Sequence, residues 1–279
     1  MLAPRTLLLS AAALVAFAAN SILCRLALAE TAIDAVSFTT IRIASGALML
    51  GVLLALGSGR EKPRGGWTAA LALYTYAILF SYAYLALSAG TGALLLFGAV
   101  QLTMFSVALH KGERLDALQT TGLALAVGGV AWLVAPGVSA PPLMNALLML
   151  GAGVAWGLYS LIGRGSAAPL ADTAGNFLRA VPVAVLLSLG TSSSAQVDAA
   201  GALYAVASGA MASGLGYALW YGALRDLSAS RAATLQLAVP VLAALGGVLL
   251  LDEVFTTRLA IATAAVLGGI VLVIARRSR

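Results

Sequence analysis

Ten apolar stretches, each long enough to cross a bilayer, constrain this chain more than any motif it carries. They run at about residues 5 to 28, 36 to 57, 67 to 87, 91 to 110, 116 to 135, 142 to 163, 173 to 190, 200 to 224, 230 to 251 and 256 to 275. A hydrocarbon layer roughly 30 Å thick takes about 20 apolar residues of helix to cross, and lipid offers no hydrogen-bond partner to an open backbone. Barrel strands alternate lipid-facing and lumen-facing residues, and these stretches are too long and too uniformly apolar for that. The expected fold is an all-α integral membrane protein of ten transmembrane helices. Composition agrees: 61% of the 279 residues are apolar and 9% are charged, more apolar surface than one soluble core buries.

The ten stretches divide five and five. Gly128-Gly129 recurs as Gly268-Gly269 and Glu113 as Glu253, each 140 residues on, while Arg25 and Arg42 recur as Arg164 and Arg179 at spacings of 139 and 137. Because five is odd, the second copy starts from the opposite membrane face. The chain therefore reads as two inverted five-helix repeats, residues 1–138 and 139–279, joined where Ala135-Pro136-Gly137 through Pro141-Pro142 stops one helix and starts the next. Inverted repeats are a device of secondary transporters, which bind substrate between the halves near the midplane.

Charge gives an orientation. With the N-terminus in the cytoplasm, Arg5, Arg60, Lys62, Arg64, Lys111, Arg114, Arg164, Arg225, Arg231, Arg276, Arg277 and Arg279 fall inside, and Arg25 and Arg258 outside. Twelve against two satisfies the positive-inside rule with both termini cytoplasmic. The net charge of +6 forms no patch that would suit nucleic acid. The first 19 residues imitate a cleavable signal peptide, but this stretch has a counterpart in the second copy and is expected to remain as the first helix.

The chemistry-bearing residues exclude more than they suggest. No Asp or Glu falls inside a stretch, and the one histidine, His110, sits at the cytoplasmic end of the fourth. Proton-coupled carriers use membrane-embedded carboxylates or histidines, so no proton coupling is expected. Metalloprotease, aspartyl-protease and serine-hydrolase constellations are missing, as is a glycine loop for phosphate. The chain is thus expected to be no enzyme, to hold no metal or cofactor and to use no ATP. Arg42 and Arg179 lie near enough to span ends to snorkel to the interface. Their expected role is structural, pairing with helix-end carbonyls or with Asp34 and Asp172; the alternative is a gate charge for a carboxylate substrate.

What remains is uncharged polarity at mid-span depth: Asn20 and Ser21; Tyr74, Ser81 and Tyr82; Gln101 and Thr103; Trp156, Tyr159 and Ser160; Ser213, Tyr217, Trp220 and Tyr221; Gln236. Such groups either bond one another or line a watery cavity. Pro240 cannot bond the carbonyl of Gln236, so the ninth span should kink there; the first copy has Val100 at that place, beside Gly98, a weaker bend. Small residues at Gly153 and Gly157, at Ser208, Ala212 and Gly216, and at Ala47 and Gly51 suggest close helix contact.

With Ala-Leu-Trp-Tyr-Gly-Ala-Leu at 218 to 224, Ser230-Arg-Ala-Ala, Pro240-Val-Leu-Ala-Ala-Leu, Asp252-Glu253 and Gly268-Gly269, repeated in degraded form in the first half, the chain resembles ten-helix EamA-type members of the drug/metabolite transporter superfamily. Among them it is most similar to YddG-type amino-acid exporters of bacteria. The resemblance implies a cavity framed by spans one, three, four, six, eight and nine, alternating access and a bacterial inner-membrane location. Residues and resemblance together lead to export or facilitated transport of neutral, apolar or aromatic amino acids. The expected binding residues are Asn20, Tyr82, Gln101, Trp156, Tyr159, Trp220 and Gln236, with hinges at Gly98 and Pro240. The alternatives are a drug or small-metabolite exporter, and a membrane scaffold or sensor without transport.

Overall fold

A computed structural model describes residues 3–57, 61–112 and 116–277 of the chain, and for residues 229, 230 and 275–277 the backbone alone. Glu113, Arg60, Arg114 and Arg279 lie outside the described residues, as do the side chains of Arg276 and Arg277. Among the described residues there is no strand. The helices are α1 (Pro4–Glu30), α2 (Ala35–Leu56), α3 (Trp67–Tyr84), α4 (Ala89–His110), α5 (Ala117–Val134), α6 (Leu143–Ile162), α7 (Pro169–Gly190), α8 (Ala199–Leu224), α9 (Ala229–Gln236, resuming as Ala238–Leu251) and α10 (Thr257–Arg277). Apart from α3, these are long and apolar enough to cross a membrane. Four tyrosines and Ser81 make α3 more polar, and it packs inside the bundle against α6, α7 and α2.

Local sequence explains most helix ends. Asp34 caps α2 by accepting the Val36 and Ser37 amides, each at 2.9 Å. Asp116 and Gln119 form a reciprocal capping box on α5, and Ser88, Asp198 and Ser228 cap α4, α8 and α9; a side-chain oxygen there satisfies amides with no helical partner. Pro4 and Pro169 open α1 and α7, where a missing N–H costs nothing. The start of α7 corrects the sequence reading, which placed it four residues later. Pro169 sets the first turn, and Asp172, Thr173 and Asn176 depress its apolar character without breaking the helix.

Packing has a pairwise symmetry between the first five helices and the last five. Helix α1 packs on α8 and α9 as α6 packs on α3 and α4; α2 packs on α8 as α7 packs on α3; α2 meets α7, α4 meets α9, and α5 meets α10. Exchanging α1–α5 with α6–α10 leaves this set of pairings unchanged.

Small residues carry several of these contacts. A Cβ on Gly153 would meet Ala99 Cβ at 2.5 Å, and one on Gly157 would meet Thr103 at 2.9 Å, so α6 and α4 touch where expected. Gly51 has open space around it; the close contact on α2 is instead at Arg42, whose carbonyl oxygen lies 2.1 Å from the Cβ that Gly209 lacks. Gly209 belongs to a π-helical stretch, Ala207–Leu215, inside α8. Such stretches are rare and tend to occur at functional sites.

Helix α9 is interrupted at Leu237, whose amide reaches Thr234 O at 3.1 Å, three residues back. The proline ring of Pro240 crowds the carbonyl four residues before it, so the break falls about one turn ahead of the proline. At Gly98 the structure differs from expectation. Helix α4 runs through it unbroken, and the glycine face packs on Val130 and Val266. An uninterrupted backbone ladder makes Gly98 a contact with α5 and α10, with no bend.

Candidate functional site

Two adjacent cavities occupy the middle of the bundle. The larger, a vestibule of about 1250 Å³, reaches the face that carries both chain ends. Glu61, Arg164, Asp172 and Arg225 stand around that mouth, and Phe97, Gln101, Trp156, Tyr159, Trp220 and Gln236 line its walls. The smaller, of about 20 Å³, lies deeper and is lined by Asn20, Ser21, Arg42, Tyr76, Phe80 and Ser213 among others. Phe17, Phe97, Trp156 and Tyr217 belong to both walls and form the aromatic partition between them.

Six of the seven expected binding residues line this space. Asn20 is in the inner cavity, Trp156 in the partition, and Gln101, Tyr159, Trp220 and Gln236 in the vestibule. Tyr82 is the correction: it is 38% exposed and lines neither cavity. At 100° per residue, position 82 is about 120° around α3 from position 76, and Tyr76 is the tyrosine that turns inward.

Tyr76, absent from the sequence reading, joins the two halves. Its hydroxyl oxygen accepts from Arg42 Nη2 at 2.9 Å and from Asn20 Nδ2 at 3.3 Å. Asn20 Oδ1 in turn accepts from Ser208 Oγ at 2.6 Å, so α1, α2, α3 and the π-helical part of α8 meet in one polar chain. The Tyr76 ring stacks on Trp156 with centroids 5.5 Å apart, and Trp156 meets Phe97 edge-on at 5.2 Å. A second cluster lies nearer the mouth. Thr173 Oγ1 and Tyr221 Oη are 2.8 Å apart, and Tyr159 Oη lies 3.4 Å from Thr173 Oγ1 and 3.5 Å from Asn176 Nδ2. The sequence reading passed over Thr173 and Asn176 because its seventh stretch begins at residue 173, which puts both in a first turn and not at mid-span depth.

Arg42 overturns the interfacial reading. It is 2% exposed, two turns inside α2, and pairs with neither acid expected for it. Asp34 is turned to the helix start and to the Gln196 amide, and Asp172 binds Ser166 and the Gly65 amide. The guanidinium lies 4.9 Å from the Phe80 ring centre and 5.3 Å from that of Tyr76. Its Nε and Nη1 have no hydrogen-bond partner. An arginine at a helix centre costs about 2.5–3.5 kcal/mol even on insertion scales, and each bare buried donor about 1–3 kcal/mol. Two cation–π contacts of about 0.5–2 kcal/mol each and one neutral acceptor offset part of this. Arg179 does follow expectation, donating to the carbonyls of Arg64 and Gly175.

The opposite face is closed by charge. Arg25 Nε lies 3.4 Å from Glu253 Oε1, and the Glu253 carboxylate accepts the Ala89 amide at 2.8 and 3.1 Å. Arg25 also donates to the carbonyls of Tyr84 and Leu85. Burial pushes the Glu253 carboxyl above the usual range, more than the Ala89 amide and Arg25 pull it down. These contacts tie α1 and the α3–α4 connection to the α9–α10 connection on the face away from the vestibule mouth.

Residues 143–275, α6 to α10, match the EamA-like transporter family. Over 274 residues the chain is 59% identical to the uncharacterized protein PA1977 of Pseudomonas aeruginosa, with 98% of this chain and 96% of that one aligned. The chain belongs to the EamA-like transporter family. A solved crystal structure superposes on 97% of this chain and 99% of its own with a TM-score of 0.67; at 23% identity that likeness concerns the fold. The protein is accordingly a multi-pass membrane protein of a transporter family.

Proposed function

We propose that this EamA-family transporter carries neutral amino acids with apolar or aromatic side chains across a bacterial inner membrane by alternating access, as an exporter or facilitator. Both termini are cytoplasmic in this reading, so the conformation described above is open to the cytoplasm. The observation that carries it is the wall of the cavity. A vestibule of about 1250 Å³ is lined at depth by amides, hydroxyls and aromatic rings, and the acids on it, Glu61 and Asp172, stand at the mouth. Such a wall suits a zwitterion with an apolar side chain. Hydroxyls and amides meet its charged ends while Trp156, Trp220 and Phe97 meet the rest. Transport uses neither ATP nor a proton gradient and follows the substrate gradient.

The two sets of five helices are read as inverted repeats divided near residue 138, and their exchangeable packing pairs support that reading. The break at Leu237, ahead of Pro240, is the element on which the second half bends. The experiment is uptake of labelled L-phenylalanine, L-leucine and L-alanine by liposomes holding the purified protein, with and without a pH gradient. The expected result is saturable flux of the first two, unchanged by the gradient. No flux of any amino acid would remove the substrate assignment, and flux that disappears without the gradient would remove the uncoupled mechanism.

A further inference from the structure

We propose that Arg42 anchors the carboxylate of the transported molecule, so that the substrate class is a monocarboxylate with an apolar or aromatic tail, for which the amino group is dispensable. The inference rests on the carrier reading and narrows it.

A buried guanidinium is normally matched by a carboxylate or saturated with carbonyls. Arg42 has neither: one nitrogen is engaged by the neutral hydroxyl of Tyr76, and Nε and Nη1 are unpartnered. None of the described residues lining the inner cavity is acidic. The chain therefore carries, at the inner end of its cavity, a fixed positive charge with donors to spare and no anion among the described residues around it. The room beside it, about 20 Å³, holds a group of one or two water-sized atoms, which matches the oxygens of a carboxylate head. The partition of Phe17, Phe97, Trp156 and Tyr217 lies between that room and the vestibule. A molecule arriving from the vestibule head first would place its carboxylate on Arg42 and its tail among these rings. No lining acid awaits an ammonium group at this depth, so the amine makes hydrogen bonds at most, to Asn20 or Ser213.

The same site contributes to alternating access. Arg42 is on α2, its acceptor Tyr76 on α3, and the π-helical turn of α8 sits against the Arg42 carbonyl at Gly209. An anion that engages the free nitrogens neutralises the charge where the two halves meet, which lowers the cost of closing the vestibule over it.

The test uses purified full-length protein in detergent and four probes of one shape: 3-phenylpropanoate, L-phenylalanine, phenethylamine and 3-phenylpropan-1-ol, with sodium chloride as a fifth. Binding is read by thermal shift and by quenching of tryptophan fluorescence. The two carboxylates should bind, the amine and the alcohol should not, and Arg42→Gln should weaken carboxylate binding by about 10- to 100-fold. Because the substitution removes an unpartnered buried charge, the ligand-free variant should melt no lower than the wild type. Equal binding of phenethylamine or the alcohol would overturn the proposal, as would carboxylate binding unchanged in Arg42→Gln. A chloride shift equal to that of 3-phenylpropanoate would mark an inorganic-anion site and also overturn it. If Arg42→Gln does not fold, the ranking of the probes on the wild type still decides. Arg42-dependent binding of 3-phenylpropanoate with no amino-acid flux in liposomes would refute the amino-acid assignment and leave the anchor standing; L-phenylalanine flux unchanged in Arg42→Gln would do the reverse.

Discussion

Side chains at one depth in this protein differ in role because of the direction in which they leave the helix. Gln236 and Trp156 line the cavity, while Tyr82, at similar depth on paper, is exposed on the outer surface. Gln236→Ala should lower amino-acid flux by about tenfold, the equivalent of one hydrogen bond to a charged group, and Tyr82→Ala should leave it within about twofold. Initial rates in liposomes decide; a larger loss in Tyr82→Ala than in Gln236→Ala would move the path to another face of α3. The polar inventory of the sequence included Asn20, Gln101, Trp156, Tyr159, Trp220 and Gln236, all of which line the two cavities. It could not separate Tyr76 from Tyr82, because a helix whose polar side chains are spread around all its sides shows no moment to say which side faces inward. The depth of Arg42 was hidden for a related reason. The snorkelling rule assumes a route to water, and here Phe80, Tyr76 and the close approach of α8 enclose the side chain.

The number of helices and most of their ends follow from the sequence because the bilayer fixes length and leaves the backbone no alternative. The irregular segments were less legible. The Leu237 break was announced by Pro240, whereas the π-helical stretch Ala207–Leu215 has no proline and consists mostly of small residues that fit many backbones. Pro240→Ala should restore the ladder through α9, raising the melting temperature while slowing transport; faster transport would contradict a hinge there. The cap on α2 gives a second test. Burial alone would raise the Asp34 carboxyl, but bonds from Ser37, Gln196 and Val36 outweigh it and hold the group below its usual range. A lowered carboxyl stabilises the fold above its unfolded-state pKa, and that contribution is lost as pH falls through the folded-state value. Asp34→Ala should therefore cost about 1 kcal/mol at neutral pH and flatten the acid limb of the stability profile. Calorimetry across the acidic range checks both; an unchanged acid limb would assign it to other groups.

For the molecule as a whole, one face is open through the vestibule and the other is held by Arg25, Glu253 and the Ala89 amide. Arg25→Ala should loosen that closed face, and the chain carries its own reporter in Cys24, fully buried beside Arg25. A membrane-impermeant maleimide should label Cys24 faster in the variant than in the wild type. Rates are normalised to the denatured protein to remove the chemistry of the thiol, and equal labelling of variant and wild type would contradict the assignment.

The central claim, that the cavity is an uncoupled amino-acid path reached from each side in turn, is tested most directly by counterflow. Liposomes holding the purified protein are loaded with unlabelled L-phenylalanine and diluted into a trace of the labelled form, with ionophores abolishing every ion gradient. The account predicts transient accumulation of label above its external concentration, much reduced in Gln236→Ala. Label that only equilibrates, or accumulation that requires an ion gradient, would contradict it.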